Sequence, residues 1–207
     1  MVSKATIGSV AKERDGLNPK DFVFIAVFGI LLFLVFMVFS IIFSANANLC
    51  WFTHTVGALL AGTVFMYLVY RVPKRGAIAI MGVIVGAVGL LMGMFWSGPV
   101  GIVVGGIVAD LIAGDPQKRT KTKLICAFAA FTFCFWLGQI SLILMMGEAY
   151  AEMCVQAGMT LEYGQTLVNS ILSPMGVVTG AATIAGGLVG GFIGTKVFSK
   201  HFAKLGM

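Results

Sequence analysis

The stretch FVFIAVFGILLFLVFMVFSIIF, Phe22–Phe43, holds no charged side chain and a single hydroxyl, that of Ser40. As one helix it reaches about 33 Å, enough to cross a hydrocarbon core about 30 Å thick. A secretory leader carries a core of only about 7–15 apolar residues, so this longer run reads as a first helix kept in the membrane. Working outward, five more apolar runs follow: Cys50–Tyr70, Ala77–Phe95, Pro99–Gly114, Leu124–Met146 and Met175–Phe198. The chain is 59% hydrophobic and 11% charged, against about a quarter charged in soluble domains. Lipid is therefore the solvent for most of it, and a soluble enzyme is excluded. The expected fold is all-α: a polytopic membrane domain over 22–200 with six transmembrane helices. A cytoplasmic segment, 1–21, precedes it, and a tail, 201–207, follows it.

Charge tests the helix count independently, because Lys and Arg of short loops stay in the cytoplasm. With the N-terminus inside, the predicted inner segments carry Lys4, Lys12, Arg14 and Lys20; Arg71, Lys74 and Arg75; Lys118, Arg119, Lys121 and Lys123; and Lys196, Lys200 and Lys204. Those are all 14 Lys and Arg in the chain. The outer segments carry Glu148, Glu152 and Glu162 instead. Five or seven helices would break this agreement. The expected topology is thus multi-pass in the cell membrane with both termini cytoplasmic. The net charge of +6 follows from topology and calls for no nucleic-acid partner.

Small residues form the strongest pattern. Gly186, Gly190 and Gly194 step by four along the last helix, and Gly82–Gly86, Gly101–Gly105, Gly57–Ala61 and Ala58–Gly62 repeat the spacing in others. Such strips let helix backbones approach closely, either inside this chain or against a partner subunit. Asp110 sits about one turn from the inner end of the fourth run, and an acid there is costly unless paired. Pairing with a basic loop residue makes it structural; proton coupling is the alternative. His54, near the outer end of the second run, either is a satisfied structural residue or hydrogen-bonds a ligand.

Asn46, Asn48, Trp51, His54, Trp96, Ser97, Gln139, Glu148, Tyr150 and Tyr163 all fall on the predicted outer side. Aromatic faces, amides and acids are the mixture of a small-molecule pocket, although Trp51 and Trp96 also suit the aromatic belt of a membrane interface. The connection 147–173 spaces Leu161, Leu167, Val168, Ile171 and Leu172 as one or two short amphipathic helices. It reads as a lid or as a helix lying on the membrane surface. Cys50 and Cys154 fall in outer segments and could pair in an oxidising compartment, but spacing alone fixes no pairing. No cofactor or metal site is expected: the sequence has no GxxxxGK[ST], HExxH or Gly-x-Ser-x-Gly element, so it carries no ATPase, zinc-protease or hydrolase signature.

Six helices, the Gly105-Gly-Ile-Val-Ala-Asp110 stretch before a basic loop, and a glycine-rich last helix together resemble a known family. They are similar to the substrate-binding S components of energy-coupling factor (ECF) transporters, and among these to the Trep/Strep conserved hypothetical integral membrane proteins, also called MptS. The resemblance covers about Phe22 to Lys200. It implies a subunit that captures a scarce nutrient in an outer-face pocket and docks on a transmembrane coupling subunit bound to two ATPase subunits. The outer loops then correspond to the gate over the ligand. Docking in such families uses an AxxxA-type strip on the first helix. Here Ala26 and Gly29 are small while Ile30 departs from the pattern, and Gly57 and Ala61 extend the small surface. The nutrient stays open: aromatic vitamins, haem and a metal complex all suit these side chains. Two other readings of the residues stand beside capture, a membrane scaffold without ligand and a stand-alone secondary carrier using Asp110.

Overall fold

The computed structural model describes residues 16–198, which form helices and connecting turns with no strand among them. Lys4, Lys12, Arg14, Lys200, Lys204 and the expected tail 201–207 lie outside the described residues. The helices are α1 (Pro19–Phe43), α2 (Thr53–Arg71), α3 (Ala77–Leu91), α4 (Ser97–Ala113), α5 (Lys121–Met146), α6 (Ala149–Gln156), α7 (Leu161–Leu172) and α8 (Pro174–Val197). Short 3-10 turns at Cys50–Phe52 and Pro116–Lys118 lead into α2 and precede α5. Local chemistry sets the starts. Asn18 and Asp21 cap α1 reciprocally with Pro19 in its first turn, a capping box that satisfies two otherwise orphaned donors. Thr120, Thr160 and Ser173 accept from the first-turn amides of α5, α7 and α8.

Four helical stretches are long and apolar enough to cross a membrane: α1, Cys50–Arg71, α5 and α8. Helices α3 and α4 are apolar but shorter, at 15 and 17 residues. The sequence suggested a third run reaching Phe95, but α3 stops at Leu91. The chain turns back at Gly93, whose φ of +81° suits glycine, and Met94 N bonds the Gly89 carbonyl at 3.0 Å. That pattern closes a helix C-terminus by satisfying its last carbonyls.

Packing is built on facing glycines. Helix α4 lies between α3 and α5, α8 packs on α2 and α5, and α1 packs on α2 and α3. A Cβ at Gly82 would stand 2.8 Å from the Gly106 Cα, and one at Gly101 only 2.6 Å from the Gly138 Cα. On α8, a Cβ at Gly186 or Gly194 would stand 2.5 Å from the carbonyl of Thr55 or Gly62, and one at Gly190 would fall on the Ala58 carbonyl. The strips are therefore internal seams. The same holds for the residues expected to dock a partner. Gly29 packs on Met81 and Val85, Gly57 faces the Phe36 ring, and Ala61 is fully buried. Ala26 is only partly covered. The docking strip read from the sequence is thus largely consumed by the chain's own helices, because α2 and α3 need that close approach. Phe65, against Phe128 at 5.0 Å and Phe131 at 6.3 Å, fills the centre of the core.

One end of the bundle gathers the cations. Lys74 Nζ donates to Asp21 Oδ2 at 2.8 Å and to the Gly16 carbonyl, tying the α2–α3 bend to the start of α1. Arg75 pairs with Asp115 at 3.0 Å, and the buried Arg119 donates to the Lys74 carbonyl at 3.2 Å. Burial lowers the Arg119 pKa, while the nearby Asp110 and Asp115 charges oppose that shift. Asp110 itself makes no described ion pair. Its carboxylate accepts from Gly76 N at 3.0 Å and Ile78 N at 3.3 Å, so an α4 acid caps amides that open α3 and have no partner within the helix. The sequence suggested a basic side chain as its partner; the structure supplies a helix N-terminus, which offers the same positive potential.

Gly190→Leu should cost at least about 3 kcal/mol, the upper end for overpacking a core, because backbone rather than a side-chain tip stands in the way. Val189→Leu, at an exposed position, should leave the melting temperature within about 2 °C, since surface changes are small. Thermal unfolding of both variants in the same detergent checks the contrast.

Candidate ligand-binding site

Away from the cations, the α1–α2 connection folds into a compact turn. Asn46 Oδ1 accepts from Asn48 N at 2.9 Å, and the Asn46 carbonyl accepts from Leu49 N and Cys50 N. This local bonding by an Asn side chain is what favours turns. It buries Trp51 and starts α2 at Thr53, whose hydroxyl donates to the Cys50 carbonyl at 2.7 Å. Behind the turn lies a cavity of about 90 Å³. Helix α1 lines it with Phe33, Phe36, Met37 and Ser40, a one-face spacing on a helix. The opposite side comes from Cys50, Thr53 and His54, again one face, with Phe135 and Gln139 from α5 and Met94 from the α3–α4 turn.

His54 is the distinctive group. Its ring sits 4.7 Å from Phe135 edge to face and 6.1 Å from Phe36, and Phe36 meets Phe135 at 5.5 Å. It is 2% exposed, and its Nδ1 has no hydrogen-bond partner. Buried polar atoms are overwhelmingly bonded, and leaving one unmade costs roughly 1–3 kcal/mol. Trp51 Nε1, Thr55 Oγ1, Ser97 Oγ and Trp136 Nε1 are also buried without partners in this half of the bundle.

The connection 147–173 forms α6 and α7, which fold against each other where Gly164 meets the Ala151 backbone. The pair is fastened to the rim of the cavity. Tyr163 donates to the Ser44 carbonyl at 2.7 Å, while Ser170 Oγ donates to Asn48 Oδ1 at 3.3 Å. Burial pushes Tyr163 up to about 12 and raises Tyr150 as well. Both phenols are therefore neutral over the physiological range. Beneath the cap, Trp51, Trp136, Ile140, Tyr150, Leu167 and Val168 form an apolar cluster separate from the main core. Cys50 and Cys154 are free thiols; each meets a tyrosine, Tyr163 and Tyr150 respectively.

The structure thus sorts the residues singled out in the sequence. His54 and Gln139 line the cavity. Asn46, Asn48 and Tyr163 build and hold its rim. Trp51 is buried beneath the cap rather than set in an interfacial belt, because the turn folds it inward. Tyr150 packs on Phe95 at 5.9 Å, away from the cavity lining. Trp96 is 55% exposed and Glu148 is exposed, so neither joins the site. Sequence reasoning missed Phe33, Phe36, Met37, Cys50, Thr53, Met94 and Phe135, which are ordinary membrane-helix residues by type. One signal was available: Ser40 is the sole hydroxyl in the first apolar run, and Phe33, Phe36 and Met37 share its face.

Residues 19–204 match the family described as hypothetical bacterial integral membrane protein (Trep_Strep). The match covers nearly the whole chain, and with its apolar helices it places the protein among integral membrane proteins. The chain belongs to the Trep_Strep family. No curated protein and no solved structure matches it.

Two predictions follow from the unmade and the made hydrogen bonds. Replacing the unpartnered imidazole in His54→Phe should stabilise the ligand-free protein by about 1 kcal/mol, since removing an unsatisfied buried group relieves its desolvation; chemical denaturation in mild detergent reads this. Tyr163 has a higher pKa folded (about 12) than its ordinary value of 10. Its contribution is therefore complete below pH 10 and lost as pH climbs to 12. Tyr163→Phe should flatten that alkaline decline and loosen the cap, measured as faster amide exchange in α7.

Proposed function

We propose that this chain is the substrate-capture subunit of an ATP-driven nutrient importer of the ECF type, with six spans, cytoplasmic ends and the cavity on the outer side. The observation that carries this reading is the cavity: a mixed aromatic and polar lining, a buried imidazole left without a partner, and a two-helix cap bonded to the rim. The His54 ring belongs to the lining beside Gln139, where a bound molecule would meet both side chains. The cations gathered at the other end support a cytoplasmic placement of that end. Helices α3 and α4 start and finish beside those cations, while the turn between them lines the cavity, which favours a full crossing by both. Their shortness is accommodated by local thinning of the bilayer.

The described residues supply no nucleotide site, so the energy comes from partners: a membrane coupling subunit and two ATPase subunits. With Gly29, Gly57 and Ala61 covered, that coupling subunit meets lipid-facing side chains instead. The outer face of α1 offers Val27, Leu34, Val38 and Ile41, all exposed. The scaffold reading loses its small-residue surface to the internal seams. The proton-carrier reading loses Asp110 to the capping of α3.

Gentle extraction followed by native mass spectrometry should show a stoichiometric small molecule on the chain, and affinity purification should bring down ATPase subunits. Absence of both results would sink the capture role. For topology, an epitope inserted at Gly158 should be reached by antibody on intact cells, and one at Gln117 only after permeabilisation. The reverse pattern rejects the orientation.

A further inference from the structure

We propose that the cavity at His54 selects an uncharged, single-ring aromatic molecule bearing an amide-like group, and discriminates against charged molecules of the same shape. The inference rests on the capture reading and specifies its substrate class. Four features of the site lead to it.

Charge comes first. The cavity lining contains no Asp, Glu, Lys or Arg, and the described ion pairs, Lys74–Asp21 and Arg75–Asp115, belong to the opposite end. An ion entering this site would lose its hydration with no counter-charge to replace it, which is strongly unfavourable. Shape comes next. The Phe36 and Phe135 rings, 5.5 Å apart and set edge to face, flank His54. Aromatic surfaces in such arrangements accept a flat ring by stacking or edge contact.

Hydrogen bonding is the third feature. A neutral imidazole offers one donor and one acceptor, and a primary amide offers both types from one end. His54 and Gln139 both belong to the lining. A ligand presenting a carbonyl oxygen and an N–H within one small group can meet both side chains; an aliphatic or purely apolar ring cannot. Size is the fourth. About 90 Å³ is less than the 150 Å³ or so of an engineered cavity that holds benzene. The flexible thioethers of Met37 and Met94, both in the lining, can move aside for one ring, and a fused ring system would require a larger rearrangement.

Benzamide, benzoate and benzamidine share one outline and differ in charge, so they isolate the effect. Binding to the full chain in lipid nanodiscs at pH 7 can be followed by ligand-observed NMR, with empty nanodiscs subtracted. Benzamide should bind at least tenfold more tightly than either charged probe. His54→Phe should weaken benzamide at least fivefold while the protein melts no lower than the parent. Equal or tighter binding of benzoate or benzamidine overturns the proposal, and so does benzamide binding that is absent or indifferent to His54→Phe. The identity of any copurified molecule separates this failure from that of the capture role. A charged molecule retained on the chain leaves capture standing and rejects the uncharged class. If neither a retained molecule nor an ATPase partner is found, capture itself fails, whatever the probes do.

Discussion

The constraint on which the structure depends is the contact of backbone with backbone across its helix pairs. Apolar side chains gain little by leaving lipid for a protein interior of similar polarity, so association must come from close packing. Here the approach is made by glycines facing glycines or carbonyls: Gly82 with Gly106, Gly101 with Gly138, and Gly190 with Ala58. Each contact lies where any Cβ would stand too near a neighbouring main chain. The seams bind α3, α4 and α5 in one direction and α2 to α8 in the other. They also leave Gly29, Gly57 and Ala61 facing the chain's own helices.

This rigid frame positions two unlike ends. At one, carboxylates meet cations or a helix start, Asp21 with Lys74, Asp115 with Arg75, and Asp110 with the opening turn of α3, and one nitrogen of the buried Arg119 is left without a partner. At the other, charge is absent from the cavity and polar atoms are left unmade, among them His54 Nδ1, Trp51 Nε1 and Trp136 Nε1. A protein under selection for stability alone would fill or pair those groups. On the proposed capture role, retaining them is the ordinary trade of stability for binding. The cap of α6 and α7 stands over the same half, bonded to the rim through Tyr163 rather than through any charge. Membership of the Trep_Strep family and the helical bundle describe a membrane protein; the uneven finish of its two ends is what gives that protein a candidate task.

Much of this was legible in the residues, and the exceptions are instructive. The helices announced themselves because lipid demands long apolar runs, and the cap helices because Leu161, Leu167 and Ile171 keep helical spacing. His54 and Gln139 stood out as polar groups in apolar surroundings. Trp51 could be read as a pocket or an interface residue, because an indole near a helix end suits either, and only the Asn46 turn folds it inward into a buried cluster. Phe33, Phe36 and Phe135 were invisible as site residues because lipid and a ligand cavity favour the same side chains. Gly29, Gly57 and Ala61 were readable as small, but what they face depends on helices far away in the chain.

The all-helical class, the apolar runs, the segregation of the cations and the rows of small residues can be read from the residues alone, since each is a property of one segment and its solvent. Tertiary structure alone decided which helices those rows bring together, that Asp110 caps α3, and that His54 shares a cavity with α1 and α5. Pairings between distant segments follow from shape and from which groups are left to satisfy one another. No single segment carries that information.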